Sequence, residues 1–315
     1  MNEKISKSTK NSKISKGQRI AIGAASGLLA LGLIGGGVYL ANYHGETTTI
    51  VASNDSSNTA STTLVDGKNK ITTGGTYTFT GTITGKITVD TTDAVIIILN
   101  NVNITGNDGE AIKCQEGSNV TIELVGTNTI TSGSEGDGIN AEGDLTIKGD
   151  GSLTIKADDD GVHADGKLQI DGGNITITAA EGLEATYIII NGGTIKITAT
   201  DDGINAASKS TAYSVKVEIN GGDITIDMGQ GDTDAIDSNG DLYINGGTIT
   251  ITGQSPFDYD GTAKLSGGKL IVNGTETTTI TNQFMGGGGG GMMSQQQTQQ
   301  TQQAQQAGGR GIMIR

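Results

Sequence analysis

Residues 159–179 read DDGVHADGKLQIDGGNITITA, and the chain repeats that sentence about six times. EGDGINAEGDLTIKGDGSLTIKA (135–157) precedes it. EGLEATYIIINGGTIKITA (181–199), DDGINAASKSTAYSVKVEINGGDITID (201–227), TDAIDSNGDLYINGGTITITG (233–253) and SPFDYDGTAKLSGGKLIVNG (255–274) follow. The equivalent glycines Gly138, Gly161, Gly182 and Gly203 lie 23, 21 and 21 residues apart. A fixed period of this size marks stacked repeats. Each unit holds three short runs with apolar residues at i and i+2, such as Val162–Ala164, Leu168–Ile170 and Ile175–Ile177. That alternation turns one face of a strand inward. The runs are too short for helices, and their Ile, Val and Thr favour strands. Paired glycines at 172–173, 192–193, 221–222, 246–247 and 267–268 supply tight corners. Three strands and three corners in about 21 residues make one triangular coil of a parallel β-helix. Parallel crossovers are right-handed by default, so the expected fold is an all-β, right-handed parallel β-helix.

Working outward, residues 1–19 carry six lysines and arginines against Glu3, a local charge of +5. Residues 20–41 are uncharged and mostly apolar, long enough for one transmembrane or signal-anchor helix. The basic flank predicts a single pass, with the N-terminus inside and the bulk of the chain on the extracellular face. Cleavage as a secretion signal is the alternative. Residues 42–63 are rich in Ser, Thr and Asn and read as a flexible linker. The β-helix domain is expected over 64–284, with about ten coils and a cap at its open end. The Gly- and Gln-rich segment 285–315 cannot form a core and reads as a disordered tail.

The whole chain has 52 glycines, one proline, no tryptophan and only 3% aromatic residues, which suits a solenoid of stacked aliphatics. Its net charge of −14 argues against nucleic acid as a partner. Cys114, the only cysteine, aligns with Ala141, Ala164, Ala185 and Ala206 and is expected to be buried and inert.

Stacking the repeats leaves one corner acidic. One column reads Glu110, Asp137, Asp160, Glu181, Asp202, Asp234. Three residues on, a second reads Lys113, Asn140, His163, Glu184, Asn205, Asp237, Asp258. Carboxylates about 4.8 Å apart repel by roughly 3–4 kcal/mol at an effective dielectric near 20. A cation between them relieves that cost, and oxygen-only ligands suit Ca²⁺. A solvated acidic edge is the alternative. Zinc is disfavoured, because the chain has two histidines and one cysteine.

The anchor-plus-spacer layout, the turn at 137–140 (DGIN), 160–163 (DGVH) and 202–205 (DGIN), and the NGG corners at 191–193, 220–222 and 245–247 resemble a known family. It is the family of extracellular, calcium-binding carbohydrate-binding domains with a right-handed parallel β-helix, a fold shared with pectate lyases. The resemblance spans about residues 62–283. It implies binding of plant cell-wall polysaccharide, pectin-type acidic polymers or cellulose. It also implies calcium at Asp137, Asn140, Asp160, Asp202, Asn205, Asp234 and Asp237. The turns at 181–184 (EGLE) and 255–258 (SPFD) depart from the pattern. Tyr213, Phe257 and Tyr259 are the expected ring contacts for sugar. No residue receives a catalytic role, and non-catalytic binding is the leading reading. A calcium-dependent polysaccharide lyase is the alternative, with Lys113, Lys167 and Lys209 as the nearest basic groups. A structural adhesin with a protein partner is the second alternative, and the oligomeric state is open.

Overall fold

A computed structural model describes residues 38–43, 46–53, 62–65, 68–115, 117–229 and 233–282. The basic segment, the apolar run up to residue 37 and the tail 285–315 lie outside the described residues. So does nearly all of the anchor helix expected over 20–41; its last residues fall in the strand Val38–Tyr43. Among the described residues every regular element is a strand, and no helix is long and apolar enough to cross a membrane.

The strands wind as a β-solenoid with three parallel sheets. In the first sheet Ile112, Ile139, Val162, Leu183, Ile204, Ile236 and Phe257 stack coil upon coil. In the second, Leu145, Leu168, Ile188, Val217 and Leu242 do the same. In the third, Ile130, Ile155, Ile177, Ile197, Ile226 and Ile251 form the inward row. These side chains are buried and form one continuous core. Full burial of each aliphatic stabilises by about 1.5–3 kcal/mol, which explains why so few aromatics suffice. Cys114 sits in that core, paired in register with Ala141, and burial pushes its thiol up to about 12.

The solenoid has about eight turns rather than the ten expected. The difference lies in coil length. Ile104 pairs with Ile130, 26 residues on, and Ile197 with Ile226, 29 residues on. Extra residues bulge at corners without adding a turn.

The glycine of the repeated Asp-Gly turn is there for space. A Cβ on Gly161 would lie 2.6 Å from the Gly182 carbonyl oxygen, and one on Gly182 would lie 2.3 Å from that of Gly203. Coils touch backbone to backbone at this corner. The second glycine of each NGG corner serves conformation instead: Gly193 and Gly222 have φ of 98° and 99°.

Both ends are covered by antiparallel strands. Glu46–Ser53 pairs with Gly75–Thr84, and Thr62–Val65 pairs with Lys68–Ile71. Thr275–Thr277 folds back on Lys269–Val272. Much of the stretch 42–63 read as a linker is therefore strand.

Candidate functional site

The register brings the second acidic column together as the repeat phase predicts. Lys113, Asn140, His163, Glu184, Asn205, Asp237 and Asp258 are consecutive partners along the first sheet. Their side chains point outward because each stands between two inward residues.

The earlier coils of this column carry their own cations. Lys113 Nζ lies 2.8 Å from Glu142, 3.6 Å from Glu110 and 2.8 Å from Asn140 Oδ1. Lys86 pairs with Glu110. His163 Nδ1 lies 2.9 Å from Asp160 and 2.6 Å from Glu184, and its Nε2 lies 3.0 Å from Asp165. Burial alone would discharge His163, but these three carboxylates hold its pKa up to about 11. Lys209 lies 2.6 Å from Glu184. Burial would raise Glu184, yet His163 and Lys209 hold it at about 2. Asp137 accepts from Asn140 Nδ2 at 2.6 Å and from the Asp160 amide at 3.0 Å.

The later coils differ. Among the described residues no lysine, arginine or histidine forms an ion pair with Glu181, Asp202, Asp237 or Asp258. Burial pushes Asp237 up to about 7, and the charges of Asp202, Asp258, Asp234 and Asp260 add to it. Burial also lifts Asp202 to about 6, against the hydrogen bond from the Asp234 amide, with Asp201, Asp234 and Asp258 adding repulsion. Glu181 rises to about 8 through burial and then the charge of Glu184. Asn205 gives its Nδ2 to Glu181 at 3.0 Å, while its Oδ1 is buried with no hydrogen-bond partner. Asp234 accepts a hydrogen bond from Ser255. Ligand atoms of two trios, Asp137/Asp160/His163 and Asp160/Glu181/Glu184, come within 4.8 Å of one another. Each trio includes a group already bonded to His163 or Lys209.

Of the expected ring contacts, Phe257 is corrected: it is 2% exposed and packs in the core under Ile236. Tyr259 is half-buried against the core. Tyr213, in the insertion ahead of the strand Lys216–Ile219, donates its hydroxyl to Asp144 of the second sheet at 2.6 Å. The insertion that carries it is tied down where the amides of Lys209 and Ser210 donate to Thr186 Oγ1 at 2.9 and 2.8 Å. Its ring centroid is 6.0 Å from that of Tyr187. Lys216 Nζ sits 4.3 Å above the Tyr187 ring and 3.1 Å from Glu218. Tyr187 donates to Glu218 at 2.9 Å, and Tyr243 to Asp241 at 2.8 Å. Sequence reasoning passed over Tyr187 and Tyr243. The signal was there: Tyr187 precedes inward Ile188, and Tyr243 stands between inward Leu242 and Ile244.

A family model described as carbohydrate-binding domain-containing protein matches residues 65–309. Among solved structures the chain is similar to a polysaccharide lyase-like protein from C. thermocellum, determined as a gadolinium derivative. The two share 30% identity over 69% of this chain and 92% of that one, with a TM-score of 0.57. No curated protein matches.

Proposed function

The chain belongs to the carbohydrate-binding domain-containing proteins, and from that premise we propose that it is a non-catalytic, cell-surface binder of acidic plant cell-wall polysaccharide, assisted by calcium. The observation that carries the calcium reading is the uncompensated end of the acidic column. Asp202, Asn205 and Asp237 would hold the ion, with Glu181, Asp234 and Asp258 beside them. The donor set is all oxygen, which a hard cation such as Ca²⁺ prefers. The orphaned Asn205 Oδ1 and the raised Asp202 and Asp237 pKa values fit a group awaiting positive charge. Gadolinium, present in the similar structure, is likewise a hard cation. Asp137, Asn140 and Asp160, also expected as ligands, lie in the coils that protein cations already serve: Lys113 reaches Asn140 and His163 reaches Asp160. We therefore leave them out of the ion's shell.

An ion seated on an exposed sheet keeps open positions, and uronate carboxylates of a polymer would fill them. The basic segment 1–19 before the apolar run supports display outside the membrane. A lyase needs a base that can lose its proton. Burial would favour proton loss from Lys113 and Lys209, but their carboxylate partners outweigh it and keep both protonated. The test is a polygalacturonate pull-down with calcium and with chelator. Retention only with calcium is expected. Equal retention in chelator would sink the calcium reading, and unsaturated products absorbing in the ultraviolet would replace binding by lyase chemistry.

A further inference from the structure

Asparagine followed by glycine occurs five times in the chain, at 191, 220, 239, 245 and 273. Three of these are the repeated NGG corners, and the structure treats them alike. Asn191 donates to Asp171 at 2.7 Å, Asn220 to Asn191 at 3.0 Å and Asn245 to Asn220 at 2.9 Å, so their amides form a ladder along one corner. Asn273 is pinned from both sides: its Oδ1 accepts from the Gly253 amide at 3.1 Å, and its Nδ2 donates to the Gly253 carbonyl at 2.9 Å. Asn239 is the exception. It stands in the turn between the strands Asp234–Ser238 and Asp241–Ile244. Among the described residues neither its side chain nor the Gly240 amide makes a hydrogen bond. All five asparagines are exposed, so access to water does not separate them.

We propose that Asn239–Gly240 is a self-modification site, where the chain deamidates to aspartate and isoaspartate. The Asn239 Cγ is an amide carbon, an electrophile within reach of the next backbone nitrogen. Glycine carries no Cβ to shield that nitrogen. In the first step the Gly240 nitrogen gives up its proton and bonds to Cγ. The Cγ–Nδ2 bond breaks, and Nδ2 takes the proton and leaves as ammonia. Water then opens the cyclic imide: attack at Cγ gives aspartate, and attack at the main-chain carbonyl gives isoaspartate. One water enters and one ammonia leaves, so solvent is the only co-reactant. Turning the amide onto the Gly240 nitrogen breaks no hydrogen bond at Asn239. At the ladder and at Asn273 it breaks one or two, and each raises the barrier. The product matters at this place. Ser238 pairs in register with Tyr259, and its carbonyl accepts from the Asp260 amide at 3.0 Å. Position 239 therefore stands opposite Asp260, and either product adds a carboxylate to an acidic corner. Isoaspartate also adds an atom to the main chain, where a Cβ on Gly240 would already run into the Val215 carbonyl.

This site is independent of the polysaccharide reading. The experiment incubates the full chain in mildly alkaline buffer made with heavy-oxygen water and follows each Asn-Gly peptide by mass spectrometry. Replacement of NH2 by labelled OH is expected at Asn239 about tenfold or more faster than at Asn191, Asn220, Asn245 or Asn273. In urea, where the ladder is lost, the five should convert at similar rates, a control that needs no variant to fold. Asn239→Gln should remove the fast step from the folded protein. Asn220→Ala takes away the one side-chain partner of Asn245 and should speed conversion there. The isoaspartate fraction should elute as more acidic on ion exchange and melt below the unmodified protein. Folded protein that converts Asn239 no faster than the ladder would overturn the proposal. So would folded protein that converts none of the five while the unfolded chain converts them all.

Discussion

Asn140 and Asn205 occupy the same place in the repeat and face opposite surroundings. Asn140 Oδ1 accepts from the Lys113 ammonium at 2.8 Å, one coil earlier. Asn205 has Glu184 one coil earlier and Asp237 one coil later, and its Oδ1 has no hydrogen-bond partner. The column around Asn140 is closed by the protein cations Lys113 and His163. Asn205 has Glu184, held by His163 and Lys209, on its earlier side, but on its later side, among the described residues, no lysine, arginine or histidine forms an ion pair with Asp237 or Asp258. The ammonium at Asn140 satisfies the amide oxygen that at Asn205 has no hydrogen-bond partner. A stack of similar coils thus builds one half closed by protein cations and, on the reading proposed above, one half open to a ligand.

The largest effect expected from breaking this contrast is in the closed half. His163→Ala removes the positive charge between buried Asp160 and Glu184. Removing one partner of a buried ion pair costs about 3–5 kcal/mol. For a domain of this size each kcal/mol moves the melting temperature by about 2–4 °C. A melt in chelator should therefore fall by about 6 °C or more. An unchanged melt would mean that His163 is no counterion, and the two halves would then be alike.

On the proposed reading, calcium acts on the other half. At one hundred times its dissociation constant, an ion that binds only the folded state stabilises by about 2.7 kcal/mol. Differential scanning in a calcium series should show the melt rising with the logarithm of free ion. Asp202→Ala should flatten that rise, while Lys113→Ala should leave its slope intact. A slope lost in Lys113→Ala and kept in Asp202→Ala would put the ion in the wrong half.

Acid should separate individual carboxylates by sign; Asp160 of the closed half is itself raised to about 6, by burial first. Glu181, Asp202 and Asp237, held at about 8, 6 and 7, keep protons in the fold where the unfolded chain has released them. Metal-free stability should therefore fall as pH rises from about 5 to 8, and calcium should remove the share carried by Asp202 and Asp237, while His163, raised to about 11 from 6.5, keeps its own. Glu184 behaves oppositely. Held at about 2 against its ordinary 4.5, it contributes stability above 4.5 that is lost as pH falls through about 2. Melts of the metal-free protein that rise steadily from pH 5 to 8 would contradict the raised carboxylates.

Much of this was legible in the sequence. The 21-residue spacing fixes the phase, and the phase fixes which residues stack. Both the column from Lys113 to Asp258 and the seat of Cys114 follow from it. What was not legible is where side chains reach across coils. Lys113 reaching Asn140, and Lys209 reaching Glu184 from an insertion outside the repeat, depend on paths that no period specifies. Phe257 was misread although the signal existed. Matching Asp258 to Asp237 places Phe257 on Ile236, an inward position. The anchor and the tail gave no such test, because they lie outside the described residues.

The smallest effect, and the sharpest, comes from placing in the open half what the closed half already has. Asp237 is the neighbour of Asn205 one coil on, with Asp258 beyond it. Asp237→Lys would set an ammonium between Asn205 and Asp258, as Lys113 stands beside Asn140. It replaces the like-charge contact with Asp258, directly opposite on the adjacent strand and worth about 0.2–1 kcal/mol, by an attractive one, and gives Asn205 a donor. The side chain is half-buried, so solvent screens part of the gain. A rise of about 1 kcal/mol in chelator is expected, together with loss of the calcium response and of calcium-dependent polygalacturonate retention. Asp237→Asn should give a smaller rise, because it removes repulsion without adding attraction. A variant that gains stability yet still responds to calcium would place the ion away from Asn205. One that loses stability in chelator would show that the acidic column was never strained.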